Sequence, residues 1–304
     1  MADLVFTFCR LVSDLKPLIK WAGGKQNLLK FLLPLLPNKW NVWHEPFLGG
    51  GGMLLGVCPE KARANDCNEQ LVNFHTQVRD HPVELRNKTL ELDGWSHCTR
   101  ELYMQRRNEF NELLKANVLT IESAAYFLWL NKHCFNGLYR VNPRGEYNVS
   151  WNKEEYITEE RKNNTVAIAS EEAFVEVSKV LAGVQLFCGD FRSFLNGVEK
   201  GDLVFLDPPY LPDPQGGDFV SYNKDGFSMD DHEAVVAIAK ELASRGVYVM
   251  ATNNDSPLTR EMWSGFHFSE YSTRLCIRPG RKRVEVAMTS WEPKVPLDTI
   301  DQFC

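Results

Sequence analysis

The sequence lacks several things, and each absence removes a class of protein. None of its eight cysteines forms a Cys-x-x-Cys pair. Most zinc sites need that spacing, so no metal is expected. The cysteines are scattered at Cys9, Cys58, Cys67, Cys98, Cys134, Cys188, Cys276 and Cys304. Several lie in apolar surroundings, as small core residues do in a reducing compartment. No apolar run is long enough to cross a bilayer, so no membrane partner is expected. Met1 to Arg10 carry Asp3 and lack the basic segment of a secretory leader. The expectation is a cytoplasmic chain. A surplus of positive charge is also missing, for the net charge is -6. That counts against nucleic-acid binding by the whole surface, but not by a local face. Arg274, Arg278, Arg281, Lys282 and Arg283 crowd around Pro279-Gly280 and offer such a face. A charge run of this kind is as often a solvated loop. Repeats and low-complexity tracts are absent.

What is present is ordinary in bulk. A chain of 304 residues, 44% hydrophobic and 24% charged, can bury a sizeable core in one domain or one and a half. One stretch organises the rest: Asp202-Leu-Val-Phe-Leu-Asp207-Pro208-Pro209-Tyr210. The apolar run 203–206 is too short for a helix and reads as a strand buried on both faces. The prolines end it, because neither donates to a ladder. Asp207 is therefore expected at the carboxyl end of a central strand, where open α/β sheets bind ligands.

Asp-Pro-Pro-Tyr suits chemistry on an amino nitrogen attached to a base. Such a nitrogen is a poor nucleophile, because its lone pair is delocalised into the ring. The Asp207 carboxylate and the Pro208 carbonyl can both accept its hydrogens and draw it toward tetrahedral geometry. Pro209 stiffens the loop, and Tyr210 can stack on a base taken out of its helix. The plain alternative is a strand end with a tight turn.

Earlier in the chain, Leu18-Ile-Lys20-Trp21-Ala-Gly-Gly-Lys25 precedes a proline-broken helical pattern at 26–36. Lys25 beside a helix start is electrostatically poor unless it meets an anion. Trp21 offers a flat face. Residues 42–48 look like a strand, which contains Phe47 and runs into Gly49-Gly50-Gly51-Gly52 and a helix. Strand, glycine turn and helix form the first unit of a Rossmann-type sheet. Residues 61–66 read as a second strand ending in Asp66, placed to hold ribose hydroxyls. A helix is expected over 68–78.

From 80 to about 165 the strand rhythm stops. Helices are expected at 82–92, 99–116 and 120–135. The stretch 131–147 then interleaves Asn, Arg, Lys and aromatics, with turn signals at Asn136-Gly137 and Pro143-Arg-Gly145. These side chains read base edges or wedge between bases, although an exposed hairpin needs no such role. Strand rhythm returns over 184–191, where Asp190 and Phe191 could hold an adenine-like ring. Residues 211–227, with Phe219-Val-Ser-Tyr222, read as a lid. A helix over 228–245 and strands over 247–252 and 284–290 complete the pattern.

Together these motifs resemble one family, the Dam-type DNA adenine methyltransferases of the D12 class, α group. The likeness rests on Leu18 to Lys25, Glu45-Pro-Phe-Leu-Gly-Gly-Gly-Gly, Cys134-Phe-Asn-Gly-Leu-Tyr-Arg, Gly189-Asp-Phe, Asp207-Pro-Pro-Tyr and Phe219-x-Ser-Tyr, in that order. It implies a Rossmann-like α/β fold, a seven-stranded sheet with an inserted, mainly helical target-recognition domain. Residues 1–79 and 166–304 would form the catalytic domain, and 80–165 the insertion. S-adenosylmethionine is the implied methyl donor, with Trp21, Lys25, Asp66 and Asp190 as its implied contacts and Phe47, Gly49 and Phe191 beside them. Lys20, Asn136, Leu138 and Arg140 match positions that touch DNA. The implied partner is double-stranded DNA with GATC as its site, and the implied state a monomer in a bacterial or phage-infected cytoplasm. The implied roles are repair, restriction-modification or protection of a phage genome. One departure stands out: after Asn148-Val149 the family usually has Pro-Phe/Trp-Gly, whereas this chain has Ser150-Trp151-Asn152.

Two other readings use the same residues. The tetrapeptide also serves methylation of the cytosine amino group, and a regulator could keep the fold without turnover. Methylation at a cytosine ring carbon would want a Pro-Cys nucleophile, and this chain has only the reverse order, Cys58-Pro59.

Overall fold

The computed structural model describes residues 15–95, 98–152, 168–211, 226–274 and 282–294. The expected lid over 212–225, the acidic stretch over 153–167 and the basic run over 275–281 lie outside the described residues.

Seven strands form one sheet: β1 (Trp43–Glu45), β2 (Ala62–Asp66), β3 (Val184–Cys188), β4 (Leu203–Leu206), β5 (Tyr248–Asn254), β6 (His267–Arg274) and β7 (Lys282–Thr289). Their order is β3-β2-β1-β4-β5-β7-β6. β1 to β5 pair in parallel, and β7 runs antiparallel to both β5 and β6. The chain winds outward from β1 through β2 to β3, then jumps back to lay β4 on the other side of β1. That reversal falls at the carboxyl ends of β1 and β4, the place where such sheets bind ligands.

β4 shows why the apolar run was readable. All four residues are buried, and they alternate between two cores. Leu203 and Phe205 face one core; Val204 and Leu206 face the other. Met250 and Ala287 join the first core, while Val249, Ala251, Val286 and Met288 join the second. A two-residue period across a sheet covered on both sides gives this split.

Helices α1 (Leu29–Leu32), α2 (Gly52–Val57) and α3 (Glu69–Asp80) pack into the first core. So do α4 (Pro82–Leu90), α5 (Arg100–Lys115), α6 (Ile121–His133) and α7 (Glu171–Leu181). Tyr103, Phe110, Phe127 and Trp129 therefore share one continuous core with Trp43 and Leu54. Polar ties reinforce it: Asn73 on α3 donates to the Thr120 carbonyl at 2.9 Å and to Ser123 at 3.1 Å. The second core is covered by α8 (Phe191–Phe194) and α9 (Met229–Ser244), with α10 (Pro257–Met262) leading into Trp263. Ser228 starts α9 with a capping box, in which its hydroxyl accepts from the Asp231 amide and its amide donates to the Asp231 carboxylate.

Two sequence expectations need correction. The first strand is three residues long rather than 42–48, because the chain turns at Pro46. β6 was not foreseen. Its segment, His-Phe-Ser-Glu-Tyr-Ser-Thr-Arg, has no apolar run, and it lies at the sheet edge, where only β7 pairs with it.

Candidate active site

Asp207 follows β4 directly and is held from two sides. Lys25 Nζ donates to Asp207 Oδ2 at 2.6 Å, and Thr252 Oγ1 on β5 donates to Oδ1 at 2.7 Å. Lys25 is 4% exposed and also donates to the Gly23 carbonyl. The anion that its position demanded is thus the Asp207 carboxylate. Burial pushes the Asp207 pKa up; the Lys25 charge and hydrogen bond and the Thr252 bond oppose that. The next residues are pinned too. Asn253 accepts from the Leu211 amide at 3.1 Å, and Glu285 on β7 accepts from the Tyr210 hydroxyl at 2.9 Å. Lys25 Nζ stands 5.1 Å from the centre of the half-buried Tyr210 ring.

The glycine turn follows β1 at this reversal. Gly49 has φ +51, and a Cβ there would come 2.8 Å from the Trp21 ring, so no larger residue fits. Asp66, at the end of β2, accepts from the Gly49 and Asn68 amides, each at 3.0 Å. His75 on α3 bonds the Gly49 carbonyl at 2.8 Å, and burial lowers its pKa to about 4. The turn is thus fixed on both its amide and its carbonyl. Burial raises the Asp66 pKa, and the backbone hydrogen bonds from Asn68, Gly49 and Cys67 oppose that.

Asp190 follows β3 and is exposed; it caps α8 through the Arg192 amide and pairs with the Arg192 guanidinium at 2.9 Å. The Phe191 ring is buried against Phe47 at 5.3 Å and Phe227 at 6.0 Å, with the Arg192 guanidinium 4.5 Å away. Trp21 is likewise engaged, covering the glycine turn and lying 6.1 Å from Tyr139 and 6.2 Å from Phe127. It joins the turn to the helical segment.

Beyond α6 the chain forms a hairpin, bridged at Cys134–Trp151 and Val141–Tyr147. Residues 142–146 reverse it, and Asn136 and Gly137 bend its first arm with φ +55 and +66. A Cβ on Gly137 would lie 2.4 Å from the Lys20 Cβ, so glycine lets the hairpin close on Lys20. Asn131 binds that junction with both ends of its amide: Oδ1 accepts from the Lys20 amide, and Nδ2 donates to the Lys20 and Gly137 carbonyls. Lys20, Asn136 and Arg140 are exposed, and Leu138 is half-buried. Arg140 donates to Asn148 Oδ1 at 2.7 Å across the hairpin. Lys132 stands nearby; burial, then Lys20, lowers its pKa to about 8.

This geometry meets a family pattern. The family model described as D12 class N6 adenine-specific DNA methyltransferase matches residues 21–275, which include the glycine turn, the hairpin and the tetrapeptide. The chain belongs to this family. It is an enzyme of that class, an adenine-specific DNA methyltransferase. Relatives from distant sources span most of its length. A type II methyltransferase of Lactococcus lactis subsp. cremoris, M1.LlaDCHI, is 33% identical over 256 residues, 84% of this chain and 86% of that one. The type II methyltransferase M.MjaIII of Methanocaldococcus jannaschii is 32% identical over 288 residues, 89% of this chain and 96% of its own. A DNA adenine methylase of Haemophilus influenzae is 29% identical over 278 residues, 89% of this chain and 91% of its own.

For a methyltransferase of this class the sequence left out part of the machinery. Thr252 and Asn253 depend on β5 lying beside β4, and Glu285 on β7 lying beside β5. Glu45 was also passed over. It is buried at the end of β1, where Trp43 Nε1 donates to it at 2.9 Å. Burial pushes its pKa up to about 8, helped by the Asp207 charge and opposed by Trp43 and Lys25. Among the described residues no helix is long and apolar enough to cross a membrane, and no His, Cys, Asp and Glu group is placed to hold a metal.

Proposed function

We propose that this enzyme moves a methyl group from S-adenosylmethionine to the exocyclic amino group of an adenine flipped out of duplex DNA, with GATC as the candidate site. One observation carries the reading. Asp207 stands half-buried at the strand-order reversal and is paired with the buried Lys25, so an acceptor is held in place beside a fixed positive charge. When bound, S-adenosylmethionine supplies a methyl group activated by a positively charged sulfur. The donor set around the reversal fits it. Asp66 and Asp190 follow neighbouring strands, suited to ribose hydroxyls and an adenine amino group, and the glycine turn, covered on one side by Trp21, follows β1 between β2 and β4.

The chain's own residues then do the following. Asp207 and the Pro208 carbonyl accept from the target amino group and localise its lone pair. Lys25 and Thr252 both favour the charged form of the carboxylate against the effect of burial, and each binds one of its oxygens. Tyr210 provides the ring on which the displaced base stacks, replacing interactions lost from the duplex. Residues 80–165 serve target recognition. Lys20 and the hairpin residues Asn136, Leu138 and Arg140 face the DNA, and Arg140 takes a guanine edge with its planar fork. In this reading the chain acts as a monomer in the cytoplasm.

Sequencing of duplex DNA treated with the purified enzyme and S-adenosylmethionine, with methylated positions mapped, tests the assignment. Methyl groups on adenine within one short site, GATC or a variant of it, are expected. Methyl groups on cytosine amino nitrogens instead would replace the base assignment. The site also tests Arg140: Arg140→Ala should relax choice at one base pair by about 1–3 kcal/mol.

A further inference from the structure

The loop after β4 is gripped by side chains from the antiparallel side of the sheet, and one grip ends on the tyrosine itself. Glu285 stands on β7 opposite Asn254 of β5. Its Oε2 accepts from the Tyr210 hydroxyl at 2.9 Å and from the Tyr271 hydroxyl at 3.2 Å. Tyr271 comes from β6 and is buried, its ring 4.5 Å from Phe31. The tether therefore runs from the core, through Tyr271 and Glu285, to the outer end of the Tyr210 side chain. A hydrogen bond to a carboxylate is roughly twice as strong as a neutral one. Burial, then the Asp207 charge, Tyr271 and Glu285, drive the Tyr210 pKa well above its ordinary value, so the phenol stays a donor.

An aromatic ring fixed only at its Cβ can tilt and swing. Fixing the hydroxyl as well removes most of that freedom, and Lys25 Nζ, 5.1 Å from the ring centre, limits the rest. Stacking needs one plane at one height, and small misplacements of reacting groups cost much rate. We propose that Glu285, backed by Tyr271, is a positioning residue that fixes the plane of Tyr210 on which the target base stacks. This rests on the reading of Tyr210 as the platform for a flipped base. Glu285 touches no substrate in this scheme; it acts through one hydroxyl.

A double-mutant cycle tests it, because Glu285 should matter only while that hydroxyl is present. Tyr210→Phe, Glu285→Gln and the double variant are compared with the parent enzyme. Methyl transfer is measured on duplex DNA carrying the mapped site, and S-adenosylmethionine affinity by calorimetry. Each single variant should lower kcat by about tenfold or more, the size of a lost charge-assisted bond. The double variant should be no slower than the slower single, and donor affinity should stay within about twofold. If Glu285→Gln unfolds below the assay temperature, Tyr271→Phe replaces it in the same cycle with a smaller expected loss. Losses that multiply in the double variant, or an unchanged kcat in Glu285→Gln, overturn the proposal. The same duplex with 2-aminopurine at the target position separates this from the underlying reading. Its fluorescence should rise on binding the parent enzyme. A parent complex that stays dark, with the partner thymine unreactive to permanganate, overturns base flipping and the proposal with it; a flipped base with multiplying losses overturns the role of Glu285 alone.

Discussion

The chemistry proposed for this enzyme centres on an ion pair whose members are 182 residues apart in sequence. Lys25 and Asp207 are both largely shielded, with side chains 4% and 17% exposed. Removing one member of such a pair leaves the other charge buried alone, which costs about 3–5 kcal/mol. Asp207→Ala should therefore lose stability as well as activity. Adding Lys25→Met should restore most of the stability and none of the activity. Thermal melting of the single and double variants checks this; equal melting temperatures for the parent and Asp207→Ala would contradict it. Glu45 gives a second prediction. Its folded pKa is about 8, well above the ordinary carboxylate value. The folded state therefore holds a proton that the unfolded chain releases above about pH 4.5. Its contribution to stability is full below that value and falls as the pH rises toward 8. Glu45→Gln, which mimics the neutral acid, should melt higher than the parent at pH 8.5, with the difference shrinking by pH 5. A difference that is the same at both pH values would show that Glu45 does not titrate in this range.

At the scale of elements, the sequence was most readable where a segment decides its own fate. The strand 203–206 is announced by its unbroken apolar run. Helices expected at 82–92, 99–116 and 120–135 are found at Pro82–Leu90, Arg100–Lys115 and Ile121–His133. What stayed hidden depends on neighbours distant in sequence. β6 is polar and takes its form from pairing with β7, and nothing near Phe191 in sequence shows that Phe47 and Phe227 pack against it. Tyr210 was read as a base platform from its tetrapeptide alone, but the carboxylate that holds it comes from β7, 75 residues on. The hairpin junction is a further case. Asn131 joins Lys20 to Gly137 through three hydrogen bonds at 2.8–3.0 Å, from a buried position on α6. Asn131→Ala leaves those backbone groups without partners, at about 1–3 kcal/mol for each one kept from water. It should weaken DNA binding about tenfold or more while S-adenosylmethionine affinity holds. Titrations of the variant with each ligand test this, and unchanged DNA affinity would remove the junction from the recognition surface.

Over the whole molecule, the net charge of -6 limits how DNA is approached. Only a local face can meet phosphates; Lys20 and Arg140 are exposed candidates for it, and the basic run expected from the sequence, 275–281, lies outside the described residues. Each neutralised phosphate releases about one counterion, so log affinity should fall with log salt at a shallow slope, on the order of a few contacts. A slope near zero would mean that no such face exists.

The central claim is that Asp207 acts on the target nitrogen while the methyl donor is held elsewhere at the strand ends. Transfer of labelled methyl from S-adenosylmethionine to unmethylated duplex DNA, followed by nucleoside analysis, tests it most directly when paired with calorimetry of donor binding. The parent enzyme should place the label in N6-methyladenine. Asp207→Ala/Lys25→Met, folded but lacking the acceptor, should place none, and Asp207→Asn should lose transfer by orders of magnitude while still binding the donor. Comparable label from either variant, or label from the parent in any base other than adenine, would contradict the account.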